Sequence, residues 1–533
     1  MNPIRLKWKT ERYAYGRQMT DDRRRSSALR PPSSALCPPS SVLRPPSSVL
    51  AGLVSAQVIA TIQVFAANQS LYKTLTAMGA AGYVTVPNHQ TMDRLQELST
   101  AFCGGLFLTL SVGAGISLLS LAAAWFWDRV CRRKTLFLFP FLLLWAGLAA
   151  GINWNGFSPF ASLYFTIIPP LVFSVALVWM SHINKKRPWQ TGLLHLIPII
   201  VLGLLWAPQM EKDLFINIRD HLLLSNPVGE KIVDFYYQYT LYPAEVLKPL
   251  NRKLLKTCNL EAIAEDQHKK ELRKVLSVHD WLETENKDDV DLILSSSGDR
   301  LLLSNGNGIQ LTIPKNEFLS NPAAALKRFS SRVDKHRIFR KFTFYSLLFG
   351  FPITLYIFVY SLFSFFLGKW AAPGKTAILS TSLCFSMGLM LLMPFWRSNP
   401  QPVGHEQLSG ALESDNRHVR LTALKSIQED HLDLSGFSAY KLILRSPHAA
   451  ERYWLAKSLG VSESDRTHED LLNLLEDPSP IVVSAALFSL GRRGEKKAIP
   501  KILRFVKTSD HVYVQWYAYK ALKGLGWKQK NPF

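Results

Sequence analysis

The chain has 533 residues, 48% of them hydrophobic, and a net charge of +22. Its length accommodates several folded units. The positive charge collects in the first 48 residues, in short loops between apolar blocks and just before Phe342. That distribution argues against nucleic-acid binding and suits orientation in a bilayer and contact with anionic lipid.

Residues 26–50 read SSALRPP SSALCPP SSVLRPP SSVL, a seven-residue repeat rich in Ser and Pro. Its Pro-Pro pairs exclude helix, and its spacing is not that of a coiled-coil heptad. Residues 1–48 are therefore expected to be a disordered, low-complexity N-terminus, and whether they belong to the native protein is open. A membrane region is expected over 49–208, with five candidate spans at 49–67, 101–127, 135–152, 160–182 and 191–207. The first is the weakest, because Gln57 and Gln63 interrupt it. The second carries Gly104, Gly105, Gly113, Gly115 and Ser117, small residues that let helix backbones approach closely in a bilayer. The fourth contains Pro169 and Pro170, which are expected to break or kink it.

Residues 209–341 are polar and read as a small α+β extramembrane domain. The first half is helical. The second, DDVDLILSSSGDRLLLSNGNGIQLTIPKNEF, places short apolar runs between Ser-Gly-Asp and Asn-Gly-Asn-Gly turn signals, predicting two or three antiparallel strands. Further spans follow at 342–367 and 376–396, within the membrane segment 342–396. The five cysteines, Cys37, Cys103, Cys131, Cys258 and Cys384, have no zinc-ligand or C-x-x-C spacing. Cys258 stands alone in 209–341, so that segment closes no internal disulfide.

Residues 404–533 carry the clearest periodicity. RLTALKSI, RYWLAKSLG, VSAALFSLG and YAYKALKGLG align, placing Ile427, Leu459, Leu490 and Leu525 at intervals of 32, 31 and 35 residues. A polar or Pro-containing turn precedes each helix: SDNRH, SPH, DPSP and SDH. One helix pair cannot bury its own apolar face, so pairs stack. On these residues the tail resembles the HEAT-repeat family, with a short second repeat at 436–464. The resemblance implies an α-solenoid that binds proteins through a groove lined by its inner helices. The fold class is thus mainly α: a polytopic helical membrane protein with a small α+β domain and a C-terminal solenoid of HEAT-like repeats.

The short basic loops 128–134 and 184–190 are expected in the cytoplasm. Seven spans then put 209–341 and the tail outside, in what reads as a bacterial inner membrane protein. KRFSSRVDKHRIFRK (327–341), with seven Lys or Arg, opposes that orientation. His182 and His195 are the ionisable residues near apolar blocks. Neither has an acidic partner within one, and both read as structural. Asp128 suits pairing with the arginines beside it. The aromatic run DFYYQYTLYPAE (234–245) reads as a helix packed into the small domain, and the triplet NQS (68–70) matches a glycosylation acceptor. No catalytic motif, metal set or cofactor pattern stands out. The chain is read as a non-enzymatic scaffold in a lipid bilayer with protein partners, no cofactor and no nucleic acid. Arg417, Arg420, Arg452, Trp454 and Trp516 are the candidate protein contacts. The alternative is a transporter or membrane-embedded enzyme regulated by the tail.

Overall fold

The computed structural model describes residues 44–180, 188–210, 214–263, 265–284, 290–306, 308–397 and 404–529. The expectation of disorder over residues 1–43 falls outside them, as do Cys37 and His182. The first helix, α1 (Arg44–Ala80), begins inside the Ser/Pro repeat, so residues 44–48 are helical and not disordered. Pro45 and Pro46 open the helix, where the missing N–H groups have no intrahelical acceptor in any case. Gln57 does not interrupt it: its Nε2 donates to Phe102 O (2.9 Å) and its Oε1 accepts from Thr109 Oγ1 (2.7 Å) on the neighbouring helix. The NQS triplet lies within α1, with Asn68 buried.

Among the described residues, seven helices are long and apolar enough to cross a membrane. After α1 come α2 (Leu98–Arg129), α3 (Thr135–Ile152), α4 (Pro159–Met180) and α5 (Pro188–Trp206). The last two, α12 (Arg337–Leu367) and α13 (Pro373–Arg397), are separated from these by the 210–336 region. Helices α1, α2 and α4 form the packed centre, burying Ala56, Ala60, Ile116, Phe165, Ile168 and Val172. Glycine sets the close crossings. A Cβ on Gly113 would stand 2.5 Å from Ala56 Cβ, and one on Gly350 would stand 2.9 Å from Gly115 Cα, so α2 meets both α1 and α12 nearly backbone to backbone. Pro169 and Pro170 do not break α4. Pro169 has no N–H to offer Phe165 O, and Trp145 Nε1 of α3 donates to that carbonyl instead (2.6 Å).

Between α5 and α12 the chain forms α6 (Leu214–Asn217), continuing as a π-turn (Ile218–Leu223), then α7 (Pro227–Tyr239) and α8 (Leu241–Leu247). A mixed sheet follows: β1 (Lys256–Asn259), α9 (Asp266–Val278), β2 (Trp281–Glu283), β3 (Leu292–Ser297), β4 (Arg300–Asn305) and β5 (Gly308–Pro314), then α10 (Lys315–Ser320) and α11 (Pro322–Arg332). The order is β2-β1-β3-β4-β5. The antiparallel run β3-β4-β5 is the part that the turn signals mark, with Gly298 at φ +60° in the two-residue β3–β4 connection. Strands β1 and β2 add in parallel through α9, so the sheet is wider than the two or three antiparallel strands expected. Their three- and four-residue lengths are too short to show a period of two. Leu292, Leu294, Leu301 and Leu303 pack against Leu272, Leu276 and Phe329 of α9 and α11.

The connections alternate between the two ends of the bundle. Residues 81–97, 153–158, the 210–336 region and the tail gather at one end. There Asn88 N donates to Gln515 Oε1 (2.8 Å), Tyr519 OH to Asp280 Oδ1 (3.0 Å), and Gly156 lies against Lys335. Residues 130–134 and 368–372 stand at the other, since α2 and α12 each run more than 30 residues away from the tail. Asp128, at that far end, is buried and accepts from Arg133 Nε (2.5 Å). His195 of α5 pairs through Nδ1 with Tyr356 OH of α12 (3.0 Å) and meets the Tyr360 ring edge-on.

Candidate functional site

The tail stacks helix pairs: α14 (Leu408–Glu413) with α15 (Arg417–Glu429), α16 (Tyr440–Ile443) with α17 (Ala449–Leu459), α18 (Asp465–Asn473) with α19 (Pro480–Arg493), and α20 (Ile499–Thr508) with α21 (Val512–Gly524). Ile427, Leu459, Leu490 and Leu525 are all buried in one continuous core. Helix α16 is reduced to a single turn, which accounts for the short second repeat.

A ladder of charge joins successive pairs. Arg420 donates to Ser414 O and to Glu451 of the next repeat (Nε–Oε1 3.0 Å). Arg452, 32 residues on, does the same to Ser446 O (2.6 Å) and Asp477 (2.6 and 3.0 Å). Glu451 is fully buried, so these are charge-assisted bonds inside the stack.

The face made by α15, α17, α19 and α21 turns toward the rest of the chain, whose residues 214–239 reach it from α15 to α21. Asp220, at 0% exposure, sits in the π-turn at the centre. Its carboxylate accepts from Trp454 Nε1 (2.7 Å) and Arg219 Nε (2.8 Å), with Lys425 Nζ at 3.7 Å. Arg417 Nη2 donates to Asp220 O and Leu224 O (both 3.0 Å), filling the open carbonyls at the end of the turn. Arg219 lies over the Tyr453 ring at 4.1 Å. Burial opposes the Arg219 charge, but Asp220, Tyr453 and Tyr237 more than offset it and raise its pKa. His221 is pushed down to about 4 by burial and then by Lys425.

Beyond this cluster the aromatic run of α7 packs on the tail and not into the small domain: Tyr237 lies 4.3 Å from Tyr513. The 81–97 connection docks on α21, where Gln515, fully buried, bonds Asn88, Thr91 and Ser509. Lys523 reaches Asp280 (2.9 Å), and Gln529 brackets Val84 through both its N–H and its C=O.

The sequence-predicted contacts thus divide. Arg417 and Trp454 bind the chain's own π-turn, and Arg420 and Arg452 hold the stack together. Trp516 lies under Lys520 (3.7 Å) beside a small recess lined by Leu75, Val86 and Leu241. The open remainder of the face carries no sequence pattern that marks it. Lys457 sits 3.8 Å over the Phe488 ring, and Phe488 is 39% exposed; Arg492, on the same helix, is exposed and its Nη2 lies 3.3 Å from His431 Nδ1. Burial, and then Arg492 and Arg219, push Lys457 down to about 8. Among the described residues no group of three or more His, Cys, Asp or Glu is placed to hold a metal ion.

Helix pairs stacked at a 31–35-residue interval, with one face lined by alternate helices, define an α-solenoid. Residues 439–523 match the family model of HEAT repeats, so the tail carries HEAT repeats. No curated protein and no solved structure matches the chain.

Proposed function

We propose that this chain is a multi-pass, non-enzymatic membrane protein, in a bacterial inner membrane, that organises protein partners through its HEAT tail. HEAT repeats generally mediate protein interactions, and the seven long apolar helices are compatible with insertion in a bilayer. The carrying observation is the division of the tail's inner face. One part is spent on the chain's own 214–239 segment, and elsewhere Phe488 and Arg492 stand exposed, with Lys457 over the Phe488 ring. Exposed aromatics flanked by cations suit an acidic protein surface. The repeats then do two things: they clamp the membrane-proximal connections together and present this patch. The basic loop 128–134, at the far end of the bundle, favours the cytoplasm and so supports a reading with 209–341 and the tail on the extracytoplasmic side.

A photo-crosslinker at Phe488 in the full chain, expressed in cells, tests the scaffold. A discrete protein adduct that disappears in K457E/R492E supports it. Adducts unchanged by K457E/R492E, or no adduct, would reject the patch as the partner site. Deleting residues 404–533 is a poorer test, because it uncovers Leu224 and Val233, which share the tail's core. A reporter active only outside the cytoplasm, fused after Phe533, tests the orientation, and a silent fusion reverses it.

A further inference from the structure

The basic run 327–341, which leads into α12, contains seven Lys or Arg, and the structure uses them unequally. Arg328 pairs with Glu317, Arg332 donates to Gln310 O (2.8 Å), and Arg340 binds Asp334 and Leu247 O (both 2.8 Å). Lys327 and Lys335 lie outside α12 and pair with no described carboxylate. Arg337 and Lys341 are exposed, one turn apart on the same face of α12, and neither has a hydrogen bond or ion pair to any described residue. The next turn of that face carries Phe344 and Tyr345, 50% and 58% exposed. Phe215 of α6 packs edge-on against Phe344 (6.4 Å). Arg337, Arg340, Lys341, Phe344 and Tyr345 line a shallow cleft of about 300 Å³. The opposite face of these turns is sealed, with Phe339 against Tyr164 (5.8 Å) and Phe342 against Phe165 (5.3 Å). The cleft therefore opens outward, on the rim of the bundle, where α12 enters its apolar stretch.

Two cations without a partner among the described residues, one helical turn above two exposed aromatics, match the layering of a bilayer boundary. Phosphate lies at the level of the cations, and the upper acyl chain at the level of the rings. We propose that Arg337, Lys341, Phe344 and Tyr345 form a binding site for an anionic phospholipid in the leaflet on the tail's side. The proposal rests on the reading of α12 as a membrane-crossing helix. It also eases the conflict in the charge pattern. Three of the seven cations are held by protein acceptors and two by lipid phosphate, which leaves only Lys327 and Lys335 to favour the opposite orientation.

Native mass spectrometry of the purified full chain, titrated with phosphatidylglycerol or phosphatidylcholine, tests the site. The wild type binds phosphatidylglycerol in preference. R337Q/K341Q weakens that binding by roughly 25-fold, the worth of two interfacial cations, without changing the phosphatidylcholine response. R337K/K341R keeps the preference. K270Q/K274Q removes an exposed pair at the same spacing on α9 and leaves binding unchanged. Equal losses in the two Gln doubles, or no loss in R337Q/K341Q, overturn the site. Displacement of the lipid by inorganic phosphate at millimolar concentration also overturns it, since the pocket then holds the anion alone. Alkaline carbonate extraction separates the lipid site from the membrane reading beneath it. Release of the wild-type chain refutes the membrane reading. Retention of both wild type and R337Q/K341Q, with unchanged lipid preference, refutes only the lipid site.

Discussion

Removing the Asp220 carboxylate isolates what holds the tail against the membrane-proximal segment. Asp220→Ala leaves the Arg219 guanidinium, whose side chain is 10% exposed, without its counter-charge. It also leaves the buried Trp454 Nε1 without an acceptor. Breaking one side of a buried pair costs about 3–5 kcal/mol, because the survivor stays desolvated. An orphaned N–H costs about 1–3 kcal/mol, and the two do not simply add. The expected loss is therefore about 3–5 kcal/mol of local stability. Amide hydrogen exchange on the full chain in detergent or nanodiscs reads this locally and avoids irreversible unfolding. Protection over residues 214–224 and 449–459 should fall by about 100-fold or more, since 1.4 kcal/mol is about tenfold. R219M/D220L removes both charges and should recover most of that protection, because an apolar pair carries no desolvation cost. A change below about tenfold in D220A, or an R219M/D220L variant no better than D220A, would refute the claim that this cluster fastens the two parts.

Three further outcomes follow from the same contacts. Gln515→Ala leaves the buried Asn88 N–H unpaired; the 81–97 connection should loosen from α21 by about 1–3 kcal/mol, seen as faster exchange or protease cleavage near Asn88. His221 has a folded-state pKa near 4 against an ordinary value of 6.5, so the unfolded segment binds more protons between those values. Stability therefore rises with pH across that window: acidification from 6.5 toward 4 should undock residues 214–224 by up to about 3 kcal/mol, and H221Q should flatten the profile measured by exchange. Gly350→Leu drives a side chain into the Gly115 backbone, where nothing can rotate away. It should cost about 1–3 kcal/mol or more in thermal-stability measurements, while Gly147→Ala, with no neighbour within 4 Å, should be neutral.

Local patterns were readable because their causes are local. Turn glycines near Gly298 mark the β3–β5 meander. The interval between Ile427, Leu459, Leu490 and Leu525 marks the repeat, because each residue meets the same environment in successive pairs. Strands β1 and β2 were not readable, since three or four residues beside a helix carry no distinct pattern. The assignment of Arg417 and Trp454 to a partner protein reflects the same limit. A cation and an aromatic on a solenoid face look identical whether their ligand is another chain or residues some 200 positions away.

The amino-acid sequence alone determined the inventory: seven long apolar helices, a small sheet and a tail of stacked helix pairs. Helical period, segment length and turn chemistry act within a few residues of one another and need no knowledge of neighbours. Tertiary structure alone decided how that inventory is spent. It put Asp220 among Trp454, Arg219 and Lys425, gave Trp145 the task of completing α4 at Pro169, and left Arg337 and Lys341 without acceptors among the described residues. A charge or a donor has no fixed role until its partner is known, and these partners come from distant parts of the chain that meet only when the helices pack.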